Sequence, residues 1–192
     1  MSPSVDSRDL LSRARACCKR FCRANDAVAA VEFALIMPLL LLMYIGAVEA
    51  SRALSYDRRL TSAAATLGDL VAQTKGDLTH AELNDLFKAA TITVTPQSAT
   101  LLRQVVSNVF VDGSGKGTVI WSEGYNGGTP YPKDADFTLP KAFTDIASGT
   151  WVIVSEASMM YQPITSFVYK SGIPLSKEYF YAPRFGDFID IK

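Results

Sequence analysis

Apolar residues follow three different rhythms along this chain. From Ala27 to Val48 every residue is apolar or small except Glu32. At about 1.5 Å per residue, a helix over that run is about 33 Å long, enough to cross a bilayer. Beyond it, Tyr56, Leu60, Ala63, Leu67, Leu70 and Val71 recur at three- and four-residue spacings, with Arg58, Arg59 and Asp69 among them. That rhythm predicts an amphipathic continuation of the same helix to about Gln73, ended by Lys75-Gly76-Asp77. Thr79-His80-Ala81-Glu82 reads as a capping box that opens a second helix through Leu83, Leu86, Phe87 and Ala90.

From Thr91 the texture changes to strands. Ile92 to Thr95, Leu101 to Val111, Thr118 to Tyr125, Trp151 to Tyr161 and Glu178 to Tyr181 are rich in β-branched and aromatic residues and are separated by Gly, Pro and Asp clusters. Val111-Asp112-Gly113-Ser114-Gly115-Lys116-Gly117 is expected to be a hairpin turn, because it lacks the leading glycine and the Ser or Thr after lysine that a phosphate loop needs. Residues 124–150, with Gly127-Gly128, Pro130, Pro132 and Pro140, read as a long solvated loop. Asp134 and Asp136 within it are two carboxylates, too few to define a calcium site. Trp121, Tyr125, Trp151, Met159, Met160 and Tyr161 are expected in the core of the sheet. The fold class is therefore α+β: a long N-terminal hydrophobic spine helix, one additional helix, and a small antiparallel β-sheet domain of about four strands.

Charge gives the hydrophobic run a direction. The chain carries 19 basic and 19 acidic residues, but Arg8, Arg13, Arg15, Lys19, Arg20 and Arg23 precede the run against Asp6, Asp9 and Asp26. By the positive-inside rule the N-terminus lies in the cytoplasm and the rest outside. A cleaved secretory signal ending near Ser51 is the competing reading, but the basic region is long, the apolar run is long, and an acid interrupts it. The part after the run is near neutral, with no basic stripe for nucleic acid.

Cys17, Cys18 and Cys22 all lie in the basic tail, so the larger part has no internal disulfide. Three thiols without a fourth ligand match no zinc spacing, and juxtamembrane lipidation is the other functional reading. His80, the single histidine, reads as a surface residue in the first turn of the second helix. No nucleophile, base and stabiliser are grouped as an enzyme requires, and no cofactor is implied. Glu32 has two readings, a neutral carboxyl near the interface or a charge awaiting a partner, since an acid in a membrane helix costs roughly 2.5–3.5 kcal/mol at the helix centre.

The run Ala27-Val28-Ala29-Ala30-Val31-Glu32-Phe33-Ala34-Leu35-Ile36-Met37-Pro38-Leu39-Leu40 resembles the N-terminal segment of TadE-like proteins, minor pilins or pseudopilins of tight-adherence (Tad) type IV pili. Shorter similarities lie at Gly46-Ala47-Val48-Glu49, Asp69-Leu70-Val71-Ala72-Gln73, Tyr161-Gln162-Pro163-Ile164 and Ala182-Pro183-Arg184. The resemblance implies a prepilin: a cytoplasmic leader over 1–27, cleavage by a prepilin peptidase between Ala27 and Val28, and a pilin-like fold. It also implies assembly roles for Glu32, Phe33 and Pro38. Ala27 stands where the family usually has glycine. Implied partners are other pilins and minor pilins, the inner-membrane assembly platform and membrane lipid. The implied organisation is a transmembrane stretch over 28–48, an extracytoplasmic continuation over 49–74 and a periplasmic α+β domain over 75–192, extracellular after pilus assembly. The alternatives are a permanently anchored periplasmic binding module or an anchored extracytoplasmic enzyme.

The orientation is directly testable. A reporter active only in the cytoplasm should work when fused before Arg23 and fail when fused after Lys192; the opposite pattern reverses the topology.

Overall fold

The computed structural model describes residues 16, 17, 19, 25–94, 100–144, 147–164, 172–186 and 188–192. The expected leader, with Cys18 and Cys22, falls almost entirely outside them, as does the side chain of Ala27. Two compact units are present, Met1–Ala50 and Ser51–Lys192.

Helix α1 runs over Asn25–Ala72, 48 residues, with Pro38 inside it. In the first unit its apolar residues are unburied: Val28, Phe33, Leu35, Leu39 and Leu42 are all more than half exposed. That stretch contains a window of mean hydropathy 2.3, long and apolar enough to span a membrane. A helix that is apolar all round and buries none of that surface has lipid or another apolar partner as its stable environment.

In the second unit the same helix becomes amphipathic, as its spacing predicts. Leu60, Ala63, Ala64, Leu67 and Val71 are fully buried on one face. They meet a five-stranded antiparallel sheet made of β1 (Arg103–Val111), β2 (Gly117–Tyr125), β3 (Asp136–Phe137), β4 (Trp151–Tyr161) and β5 (Ile173–Tyr181), in the order β3-β2-β1-β4-β5. Small residues let the helix come close. A Cβ on Gly68 would stand 2.5 Å from the Tyr181 ring and 3.0 Å from Ser155 Cβ, and Ser155 Oγ donates to Ala64 O at 2.8 Å. Lys177 on β5 pairs with Asp57 on the helix at 2.8 Å, and Arg184 pairs with Asp69.

Helix α2 (His80–Ile92) lies on the same sheet face. Its capping box forms as read from the sequence: Glu82 N–H donates to Thr79 Oγ1 at 3.2 Å and Thr79 N–H to Glu82 Oε2 at 2.8 Å. Leu83, Phe87 and Ala90 are buried, with Phe87 stacked on Tyr125 at 5.2 Å. Successive residues of a strand point to opposite faces, so Ile153 packs toward the helices while Val152 and Val154 point away. The second face buries Val109, Val111, Val119, Val152 and Val154 under Phe137 and Leu139. It is the segment read as a solvated loop that covers it, with its own strand β3 and a short helix α3 (Lys141–Thr144).

Residues 188–192 close the first face. Ile189 is buried, and its carbonyl accepts from Trp121 Nε1 at 2.6 Å and Asn108 Nδ2 at 2.9 Å. Leu78 N–H donates to Asp190 O and Lys192 N–H to Leu78 O, forming a parallel bridge between Leu78 and Ile191.

Several local expectations change. Ile92 ends α2 and Thr93-Val94 is a turn, so the first expected strand is helix C-terminus; Thr95 lies outside the described residues. The last strand begins at Ile173, not Glu178. Met160 is 45% exposed and is not core, because it alternates outward next to buried Met159 and Tyr161. The register of β1 on β2 shifts after Asn108, where Val109 faces Val119, a bulge that leaves Ile120 without a Cα partner.

The tight approach of α1 yields a test. Gly68→Ala should improve helix propensity by about 1 kcal/mol, yet overpacking against Tyr181 and Ser155 should outweigh it and destabilise the domain by about 1–3 kcal/mol. Pairing it with Tyr181→Leu should recover part of that loss in thermal unfolding; a more stable single variant would disprove the close contact.

Candidate functional site

The residues to which the resemblance gives roles lie along one stretch of α1. Val28, Glu32, Phe33 and Pro38 are all exposed. Val28 and Glu32 are four residues apart and share a helix face. Ala27 is helical in backbone.

Elsewhere the polar residues behave as structural groups. In the turn from Val111 to Gly117, Asp112 Oδ1 accepts from Ser114 N–H, Ser114 Oγ and Lys116 N–H at 2.7–2.9 Å. Those bonds, the Ser114 hydroxyl first, hold the Asp112 carboxyl below its ordinary range. The turn thus spends its amides on its own carboxylate, as expected of a hairpin connection. Asp136 sits in β3 and pairs with Lys116 at 2.8 Å. His80 is exposed, 3.7 Å from Glu123. Among the described residues no group of three His, Cys, Asp or Glu side chains is placed to hold a metal.

One constellation escaped the sequence. On the outward sheet face Glu156 of β4 and Glu178 of β5 are directly opposite in the strand register, which brings their Cβ atoms to about 5 Å. Tyr131 OH, from the loop after β2, donates to Glu156 Oε1 at 3.0 Å. Glu156 is half-buried and Glu178 more exposed. Burial raises the Glu156 carboxyl despite the Tyr131 bond, and burial followed by the nearby Glu156 charge raises Glu178. Burial and the same acids push Tyr131 up to about 12, so its phenol stays a donor at neutral pH. The only sequence signal was a glutamate at an outward-facing position of the alternation in each of two strands, and nothing in one sequence could align them.

Among the described residues one helix carries an unburied apolar stretch, and with the antiparallel sheet it is consistent with an α+β pilin-like fold; that helix points to single-pass anchoring in a membrane. Residues 27–67 match the family described as TadE-like protein. The segment is TadE-like, as its motif suggests, and this points to a pilin-like protein associated with Tad pili, a structural pilin family. No curated protein and no solved structure matches the chain.

The raised carboxyls predict a pH dependence. A carboxyl with a raised folded value favours the folded state when protonated; that contribution is complete below the ordinary value of 4.5 and is lost as pH rises through the raised value. In thermal unfolding of the full chain in detergent, the parent should therefore lose stability relative to Glu156→Gln as pH is raised above 4.5. A constant difference across that window would show an ordinary carboxyl.

Proposed function

We propose that this chain is a minor pilin or pseudopilin of a Tad pilus, acting in assembly, priming or tip structure and so in surface adhesion. The observation that carries this reading is Glu32, the one acid in the unburied apolar stretch of α1 from Val28 to Val48, within the TadE-like match. Cleavage before Val28 by a prepilin peptidase would create an ammonium on the same helix face as Glu32. When such helices pack side by side with a stagger, the carboxylate of one meets the ammonium of the next. Desolvation keeps the net worth of that pair modest, but leaving either charge alone in an apolar bundle is costly, so only staggers that pair both are tolerated. Phe33 would pack between neighbouring helices. At Pro38 a backbone carbonyl loses its usual donor, which neighbours can supply.

In this reading the leader is cytoplasmic, the domain is periplasmic before assembly, and the partners are other pilins, the prepilin peptidase and the inner-membrane assembly platform. Ala27 in place of glycine supports a second reading, a permanently anchored periplasmic module that is never cut. Mass of the purified chain separates the two: Ala27→Gly should be cut at least as completely as the parent and Ala27→Leu should not be cut. One unchanged mass for all three favours permanent anchoring.

The assembly role of Glu32 has its own test. Glu32→Leu removes a costly group from the membrane, so insertion should be as good or better. It should still lower the amount of chain in sheared pilus fractions by about tenfold or more, since it leaves the partner charge unpaired. Glu32→Gln should behave alike, because it keeps size but not charge. Entry of both variants into pili at the parental level would refute the pairing.

A further inference from the structure

The Glu156–Glu178 pair forms one wall of an open pocket with a volume of about 540 Å³, within the range of small-ligand sites. Its other walls come from Arg103 at the start of β1, the turn at Gly127-Gly128, Tyr131, and the hydroxyl-bearing Ser158 and Ser176. The pocket is built, not accidental to a mobile surface. A Cβ on Gly128 would overlap the Gln104 carbonyl oxygen, so only glycine lets that turn lie against the sheet. Asn126 Nδ2 then clamps the turn by donating to Leu102 O at 2.7 Å and Thr100 O at 3.1 Å.

The charges are arranged unusually. Two carboxylates face each other where like charges directly opposite are destabilising, while Arg103, on the same face of the sheet, makes no ion pair with any described residue. The side chain of Lys177 turns to the other face, toward Asp57. The pocket thus offers acceptors for a cation, an aromatic ring beside them, a free guanidinium and two hydroxyls.

We propose that this pocket binds a saccharide bearing a free amino group, with the ammonium between Glu156 and Glu178 and beside Tyr131, and the ring hydroxyls toward Ser158, Ser176 and Arg103. An ammonium between the two carboxylates relieves their repulsion through charge-assisted hydrogen bonds, and the Tyr131 hydroxyl, already on Glu156, borders the same spot. A lysine side chain from a protein would bring the same ammonium. Its four-carbon stem needs an apolar track to lie on, and the lining here is mostly polar. A polyhydroxylated ring suits that lining better. The site is independent of the pilus reading, because it is measured on the isolated chain.

The test uses the full chain in detergent micelles and two probes of equal length, a glucosamine trisaccharide and its N-acetylated counterpart, with calorimetry and saturation-transfer NMR as readouts. The free-amine sugar should bind saturably, and the acetylated one at least about tenfold more weakly. Glu178→Gln, at an exposed position that should leave the sheet intact by its amide spectrum, should lose at least about tenfold for the free-amine sugar. Binding to the parent should weaken as pH falls, because both carboxyls take up protons above the ordinary carboxyl range. Equal affinity for both sugars overturns the proposal. So does the absence of saturable binding, or binding of an oligolysine peptide that the sugar does not displace.

Discussion

The fold of the larger unit depends on how closely α1 approaches β4 and β5. Ala63, Ala64 and Gly68 present almost no side chain there, so helix backbone and strand come near enough for Ser155 to donate to the Ala64 carbonyl and for the Tyr181 ring to fill the space over Gly68. A serine hydroxyl satisfied within the contact avoids the cost of an unpaired buried polar group. Around this close seam the larger residues Leu60, Leu67 and Val71 are fully buried and add apolar area to the contact. The Asp57–Lys177 and Asp69–Arg184 pairs lie at the margins of the seam, where ion pairs still open to solvent set register more than they add stability.

Polar groups on the inward sheet face are used with similar economy. Gln104 donates to the Phe87 carbonyl and Thr91 Oγ1, and Asn108 donates to Ile189 O, so β1 is tied to α2 and to the closing segment by side-chain amides. Their side-chain oxygens, Gln104 Oε1 and Asn108 Oδ1, find no partner among the described residues. Each amide is therefore held by donors alone, which makes those contacts directional: a different packing of α2 or of residues 188–192 would leave both ends unmet.

What the sequence made legible was what is local. The spacing of Leu60, Ala63 and Leu67 states which face of a helix is buried, and Thr79 with Glu82 states where the next one starts, because helix contacts and caps join residues three and four apart. The TadE-like segment was legible for the same reason, being one uninterrupted run. Strand existence was legible from β-branched and aromatic residues, but not strand register. The bulge after Asn108, the early start of β5 at Ile173 and the meeting of Glu156 with Glu178 all depend on pairings between distant residues. Residues 124–150 misled because their Pro and Gly content marks turns correctly while saying nothing of Phe137 and Leu139, two apolar residues that cover the valine-rich part of the outward sheet face. Ile92 misled in the other direction: a β-branched residue at the end of a helix is tolerated when the preceding turns are already packed.

The closing segment carries a consequence for biogenesis. Ile189 completes the core beneath Trp121, and Leu78 at the far end of the domain sequence waits for Asp190 and Lys192 as its hydrogen-bond partners. Ribosomes deliver a chain from its N-terminus at roughly 5–20 residues per second, so everything from α1 through β5 emerges before these partners exist. The inward face is therefore not closed until residues 188–192 have also been made.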